Sequence, residues 1–428
     1  MRHKIAAEKT CAQFRLRPTA FTRDRVLTFP IVVMLLLRGH KFSLQNALNK
    51  VFGALGKLRL VPSASAYCQA RQKLDPALFQ ALTTSTARDF YRLAGQEGRL
   101  LTWRGHRLLG ADGSDLTLPD TAELRNAYSV QRNQLTQTVQ ALSVVLYDLR
   151  NDLGLAAKLG PIVAEKQYLF DLWEHTKRGD VLVLDRLFAD YCVIAVAARR
   201  GRAVVIRCPQ QSFGLVRDFW QSDLTEQVVT LPCPTTPSTR AFVKEQQLPP
   251  QVPVRLLKFP LPTGEIEVLL TTLCDQRRYP TAEFYQVYGW RWGNETYYDR
   301  LKNIFEVERF SGVSQRVIEQ DFHAMVFLTT LESVLTKRAQ AALDEPDAQR
   351  QPRTRAQVNR ALSYVTLCDR VVTLLADPRR DLATVRDELH RLFLQTPTRI
   401  RPGRQYPRKK RAHSMKLRYI KYFKRINA

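Results

Sequence analysis

The sequence predicts an α/β protein: a mixed sheet with helices on its faces, interrupted by a β-rich stretch and framed by helical regions at both ends. Three observations carry this. Short apolar runs at Arg107–Ala111, Val181–Leu184 and Ala203–Arg207 alternate with segments of helical periodicity, Glu165–Lys177 and Tyr191–Arg200 among them. The runs Gln140–Leu149 and Leu153–Leu159 flank Arg150-Asn151-Asp152, as two strands flank a hairpin turn. Prolines crowd residues 208–282, where helical periodicity is poor and β-type runs such as Val254–Leu257 and Glu267–Thr272 appear. Antiparallel strands followed by β-α-β units make a mixed sheet.

Taken in order, residues 1–100 read as helical. Val26–Leu37 is largely apolar, and Phe42–Leu58 has apolar residues at helical spacing. Ser63-Ala64-Ser65 then opens a segment with Gln69, Arg71, Gln72 and Lys73. A serine ahead of polar and basic first turns suits a DNA-contacting helix, and equally an ordinary surface helix. Residues 101–207 carry the strands, with Asp112-Gly113-Ser114 read as a turn after the first. Residues 208–282 form the β-rich insertion. Residues 283–338 return to a long helical pattern and complete a core with 101–207. Residues 339–428 are helical and more charged, and end in a basic tail.

The balance of 66 basic against 40 acidic residues leaves a formal charge of +26 on 428 residues. An enzyme of small metabolites has no use for that excess, whereas a protein that neutralises phosphates does. The tail from Arg399 onward, with Lys409, Lys410 and Arg411, holds no Asp or Glu and interleaves Tyr406, Tyr419 and Tyr422. A plain solvated tail has no need of the tyrosines, so contact with DNA phosphates is expected. A membrane span is not expected, because the longest apolar run, Phe29–Leu37, is nine residues and a spanning helix needs about 20. Met1-Arg2-His3-Lys4 does not lead into an apolar segment, so no secretory signal is expected. The seven cysteines are scattered without CxxC spacing, which points to neither a zinc cluster nor a disulfide framework and fits a reducing cytoplasm.

Two aspartates stand where apolar strands end: Asp112 after Leu108–Ala111 and Asp185 after Val181–Leu184. A carboxylate there is held on rigid backbone at the crevice of an open α/β sheet. Taken alone, each is more often a turn or capping residue, and Asp115 and Asp190 are close rivals. A third piece is more specific. Tyr288, Arg291, Glu295, Tyr298 and Lys302 recur at steps of three and four, which puts a carboxylate on one helix face with two cations and phenols. An exposed Arg–Glu pair is the plain reading of Arg291 and Glu295 alone. Three convergent carboxylates suit Mg2+, a hard cation of oxygen ligands. Two such ions can serve both oxygens of an in-line phosphoryl displacement, with Arg291 and Lys302 on the phosphates.

At these residues a family is recognisable. Tyr288, Arg291, Glu295 and Lys302 fit the signature Y-(2)-R-(3)-E-(6)-K without a gap, and the chain resembles the DDE transposases of the bacterial insertion-sequence-four family. Asp112-Gly113-Ser114 is similar to the first aspartate motif of that family and Asp185-Arg186-Leu187-Phe188 to the second; Glu308–Gly312 and Ser65–Leu74 also look like it. The resemblance implies a ribonuclease-H-like core, with Asp112, Asp185 and Glu295 as catalytic residues holding two Mg2+ ions, Mn2+ being a substitute. It implies cleavage at element ends and transfer of the freed 3′-hydroxyl into target DNA. DNA contacts are expected at Tyr288, Arg291, Lys302, Trp292, Arg186, Arg207 and the tail. The expected partners are double-stranded element ends and target, held by a homodimer, in the nucleoid of a bacterial cytoplasm. Some members stack an aromatic residue on a flipped base, a role for Trp290 or Trp292 against the plainer one of core packing. One departure is Gly293-Asn294, where many relatives have an aliphatic residue before the glutamate. Glycine weakens a helix interior by about 1 kcal/mol, so the helix is either softer at Glu295 or begins there. A DNA-binding protein without catalysis, and a nuclease that cleaves without joining, remain as other readings.

Overall fold

The apolar runs become the strands of one sheet in the computed structural model, which describes residues 1–23, 26–39, 43–132, 137–261, 264–345, 355–376 and 381–400. The strands are Leu108–Thr117 (β1), Ser129–Arg132 (β2), Gln137–Asp148 (β3), Leu153–Gly160 (β4), Val181–Leu184 (β5), Ala203–Arg207 (β6), Glu226–Pro232 (β7), Gln251–Pro260 (β8) and Ile266–Thr271 (β9). By contacts the chain divides into two interleaved units. One comprises residues 91–116 and 141–300, the other residues 1–90, 117–140 and 301 onward.

In the first unit the order is β3-β1-β5-β6-β9-β8-β7, with β4 also on β3. β3 and β4 form the expected antiparallel hairpin, from Asp148 opposite Leu153 to Leu142 opposite Gly160. β1, β5 and β6 are parallel and buried, as continuous apolar runs must be when both faces are covered. Their register aligns Ala111 with Leu184 and Leu184 with Ile206. The next residue on each strand is therefore Asp112, Asp185 and Arg207, side by side at one end of the parallel centre. The β-rich stretch adds β7, β8 and β9, antiparallel, to the far edge of the same sheet. It also holds two short helices, Gly214–Gln221 and Pro237–Glu245, that the β-rich reading did not include.

Two local expectations are corrected. Asp112-Gly113-Ser114 is not a turn: β1 runs on to Thr117. The long helical pattern after residue 281 is broken into Thr281–Gly289, Trp292–Asp299, a π-helical turn Arg300–Ile304 and, in the other unit, Gln315–Asp344.

The second unit is mainly helical. The apolar run that was too short for a membrane is the helix Phe29–Arg38, its side chains from Val32 to Leu37 buried. No helix among the described residues is long and apolar enough to cross a membrane. Ser63 caps the helix Ala64–Arg71, its Oγ accepting from Ala66 N at 3.2 Å. Arg71, however, is turned inward and 3% exposed. Its guanidinium donates to Gln320 Oε1 (2.9 Å), Ser311 Oγ (2.6 Å) and Asp321 Oδ1 (2.9 Å). A fully engaged, buried arginine has nothing left for DNA, which removes Arg71 from the expected contact surface and leaves Gln69, Gln72 and Lys73 exposed. β2 pairs antiparallel with the first residues of β3, Gln137–Gln140.

Candidate active site

The carboxylates are placed by strand ends and one helix start. Asp112 is half-buried on β1, and its Oδ1 accepts from Gly113 N at 3.0 Å. Burial, and then the neighbouring charge of Asp185, push its carboxyl up from 3.8 to about 6, while Arg291 pulls the other way. Asp185 begins the 3-10 turn after β5, and its Oδ1 accepts from Leu187 N at 2.8 Å. It is thus a capping residue as well as a candidate ligand. The two neighbouring aspartates have other surroundings. Asp190 caps the helix Tyr191–Arg199 through Cys192 N and pairs with Lys166 at 2.5 Å; Asp115 is exposed.

Glu295 lies in the first turn of Trp292–Asp299 and pairs with Arg291, Nη2 to Oε1 at 2.7 Å. The helix does begin beside Gly293-Asn294. Three i→i−3 bonds tighten the joint: Arg291 N to Tyr288 O (3.0 Å), Gly293 N to Trp290 O (2.9 Å) and Asn294 N to Arg291 O (2.9 Å). Asn294 has a further use. It is 1% exposed, and with its carboxamide oxygen facing β1 it accepts from Ala111 N (3.2 Å) and Asp112 N (3.3 Å). Only glycine at 110 permits this approach, since a Cβ there would lie 2.8 Å from the Asn294 amide and 2.9 Å from Leu149. Tyr298 adds a second tie, its hydroxyl 3.0 Å from Asp112 O and 2.9 Å from Ser143 O, with one proton shared between them. The glutamate helix is therefore bonded to the strand that carries the first aspartate.

The expected DNA-facing residues fall into different settings. Arg207 ends β6, is 40% exposed in its side chain and pairs with Glu267 at 3.3 Å. Arg186 is exposed, and Trp292 is 54% exposed. Tyr288 is 8% exposed in the apolar core with Phe284 and Val287; burial pushes its hydroxyl up to about 12, and the Arg291 guanidinium sits 5.5 Å from its ring centre. Trp290 is half-buried beneath Arg150, whose guanidinium is 3.9 Å from the ring centre. Lys302 is half-buried in the π-helical turn, assigned to the other unit. Lys409, Lys410 and Arg411 lie outside the described residues.

A fourth carboxylate, missed in the sequence, joins this group. Glu165 is half-buried at the first position of the helix Glu165–Leu172, against Gly113. Burial, with the charges of Asp112 and Asp185, pushes its carboxyl up from 4.5 to about 7. Nothing in the local pattern around 165 distinguishes it from any acid at a helix start; the glycine beside Asp112 was the single hint of a close neighbour. Among the described residues no group of three or more His, Cys, Asp or Glu side chains stands ready to hold a metal ion. Glu295 is turned to Arg291.

No protein-family model matches the sequence. The chain is 24% identical over 311 residues to the transposase InsG for insertion sequence element IS4 of Escherichia coli (strain K12), over 72% of this chain and 68% of that protein. Among solved structures it is similar to a piggyBac transposase in a synaptic complex with hairpin DNA, with a TM-score of 0.41 and 10% identity over 85% of this chain and 74% of that one.

Proposed function

We propose that this protein is a DDE transposase of the insertion-sequence-four type, which cleaves element ends and joins the freed 3′-hydroxyl to target DNA at Asp112, Asp185 and Glu295. The observation that carries the reading is the strand register. Ala111, Leu184 and Ile206 align, so Asp112, Asp185 and Arg207 emerge together at one end of the parallel strands. The helix bearing Glu295, which Arg291 caps just after the helix that ends beyond Tyr288, is bonded through Asn294 and Tyr298 to the strand of Asp112. The chain is also similar to an insertion-sequence transposase.

The site fits a divalent cation. Burial, and then neighbouring carboxylates, push up Asp112 and Glu165, and a buried Glu165 oxygen has no hydrogen-bond partner, so the donor set is short of positive charge. Asp112, Asp185 and Glu295 would hold Mg2+, two ions per site, or Mn2+ in its place; oxygen donors of this kind suit both. Bound there, the ions supply activation of the attacking oxygen and charge neutralisation at the leaving one. The protein's own groups do the rest. Arg291, oriented by the Tyr288 ring and by Glu295, grips a phosphate beside the reacting one. Arg207 and Arg186, at the ends of β6 and β5, take neighbouring phosphates. The exposed Trp292 is free to stack on a base, a role that Trp290 under Arg150 is not placed to take. The N-terminal region 1–100 and residues 339–428, with Lys409, Lys410 and Arg411, would hold two duplex ends in a homodimer.

The test supplies uncut and pre-cleaved element-end DNA, a plasmid target and Mg2+. Joined product supports the transposase. Cleavage without joining would mark a nuclease, and DNA binding without either would mark a protein that has kept only recognition.

A further inference from the structure

Resting on the carboxylate-site reading above, we propose that Glu165 is a fourth carboxylate of that site, facing the divalent cation together with Asp112 and Asp185. An acid at the first position of a helix is ordinarily explained by the helix dipole, and then its oxygens stay in water. Glu165 departs from that pattern. Its Oε2 is buried and has no hydrogen-bond partner. The nearby Glu174, in the 3-10 turn Trp173–His175, has by contrast a side chain 77% exposed. The lysine beside Glu165 does not serve it: Lys166 pairs with Asp190 at 2.5 Å.

The strand is built to admit this carboxylate. Gly113 directly follows Asp112, and a Cβ at position 113 would overlap the Glu165 carboxyl group. The sequence thus leaves out a side chain at the one place where the helix start meets the first aspartate. A buried, unpartnered carboxylate oxygen beside two others costs stability and offers no packing return. A divalent cation bound by oxygen ligands would remove that penalty, and the helix start gives the ligand a rigid base.

The test is Mn2+ binding to the full chain without DNA, read by electron paramagnetic resonance of the free ion. Glu165→Gln keeps the shape and removes the charge. It is expected to weaken Mn2+ binding about tenfold or more, with a melting temperature in EDTA no lower than that of the unsubstituted protein. Glu165→Asp, which retains the charge but withdraws it by one methylene, is expected to fall between the two and decides the matter if the glutamine variant folds poorly. Glu174→Gln is expected to bind as the unsubstituted chain does. Unchanged Mn2+ affinity in both Glu165 variants, with weakened binding in Asp112→Asn and Asp185→Asn, would overturn the role of Glu165 and leave the site intact. Unchanged affinity in all four would overturn the site reading as well.

Discussion

Replacing Asp112 by asparagine is expected to make the protein more stable at pH 8 and no more stable at pH 4. The carboxyl of Asp112 is raised from 3.8 to about 6, first by burial and then by Asp185. A carboxyl that binds its proton more tightly in the folded state is a liability once ionised. The cost begins as pH rises through the unfolded value near 4 and is complete above the folded value near 6. At about 1.36 kcal/mol per pH unit, the interval corresponds to roughly 3 kcal/mol as an upper bound. Asparagine keeps an oxygen for Gly113 N and sheds the charge. The gain should therefore appear between pH 4 and 6 and level off beyond. Urea unfolding of the full chain in EDTA across pH 4 to 8 measures it. Saturating Mg2+ should shrink or reverse the difference, because the charged carboxylate holds the ion more tightly than a carboxamide oxygen does. A variant that is less stable by the same amount at every pH would refute the reasoning, since it would mean that Asp112 is held by favourable contacts and not strained by its neighbours.

Other outcomes follow from the same geometry. Asn294→Ala removes two acceptor contacts to β1 and leaves Ala111 N and Asp112 N without them; a stability loss of about 1–3 kcal/mol by urea unfolding is expected, with joining reduced more than DNA affinity. Arg71→Met strips the partner from Asp321 and Gln320 inside the helical unit, so a loss of about 3–5 kcal/mol is expected in the same assay, and a loss confined to DNA affinity would restore it to the contact surface. Arg104 holds the Glu283 carboxyl down at about 2, so that pair stabilises the fold above pH 4.5 and fades as pH falls toward 2; Glu283→Gln should melt lower at pH 6, with the gap to the unsubstituted protein narrowing below pH 4.5. Neutralising Lys409, Lys410 and Arg411 should flatten the log–log salt dependence of DNA binding, and an unchanged slope would place the tail off the phosphates.

What the sequence showed and what it hid have physical reasons. β5 and β6 were legible because strands covered on both faces must be apolar throughout. The hairpin of β3 and β4 was legible because its turn residues interrupt that pattern. Asp112 and Asp185 could be placed at strand ends, although the continuation of β1 through Gly113 could not, since a glycine mid-strand reads as a turn until its neighbour is known. Gly293-Asn294 stood out as a departure; the reason for it, an amide docked on the bare backbone of Gly110, spans 184 positions in chain numbering, from residue 110 to residue 294. Arg71 looked like a surface cation because its partners Gln320 and Asp321 lie about 250 residues away. Glu165 was invisible for the same reason: burial of one carboxylate oxygen is a property of the packed sheet and helix, not of any local pattern.

The most direct measurement is strand transfer by the three carboxylate variants under conditions in which each still binds end DNA. Asp112→Ala, Asp185→Ala and Glu295→Gln are each expected to abolish Mg2+-dependent joining of a pre-cleaved end to a plasmid while retaining affinity for that end. Joining at undiminished rates in all three would contradict the claim that these residues perform the chemistry.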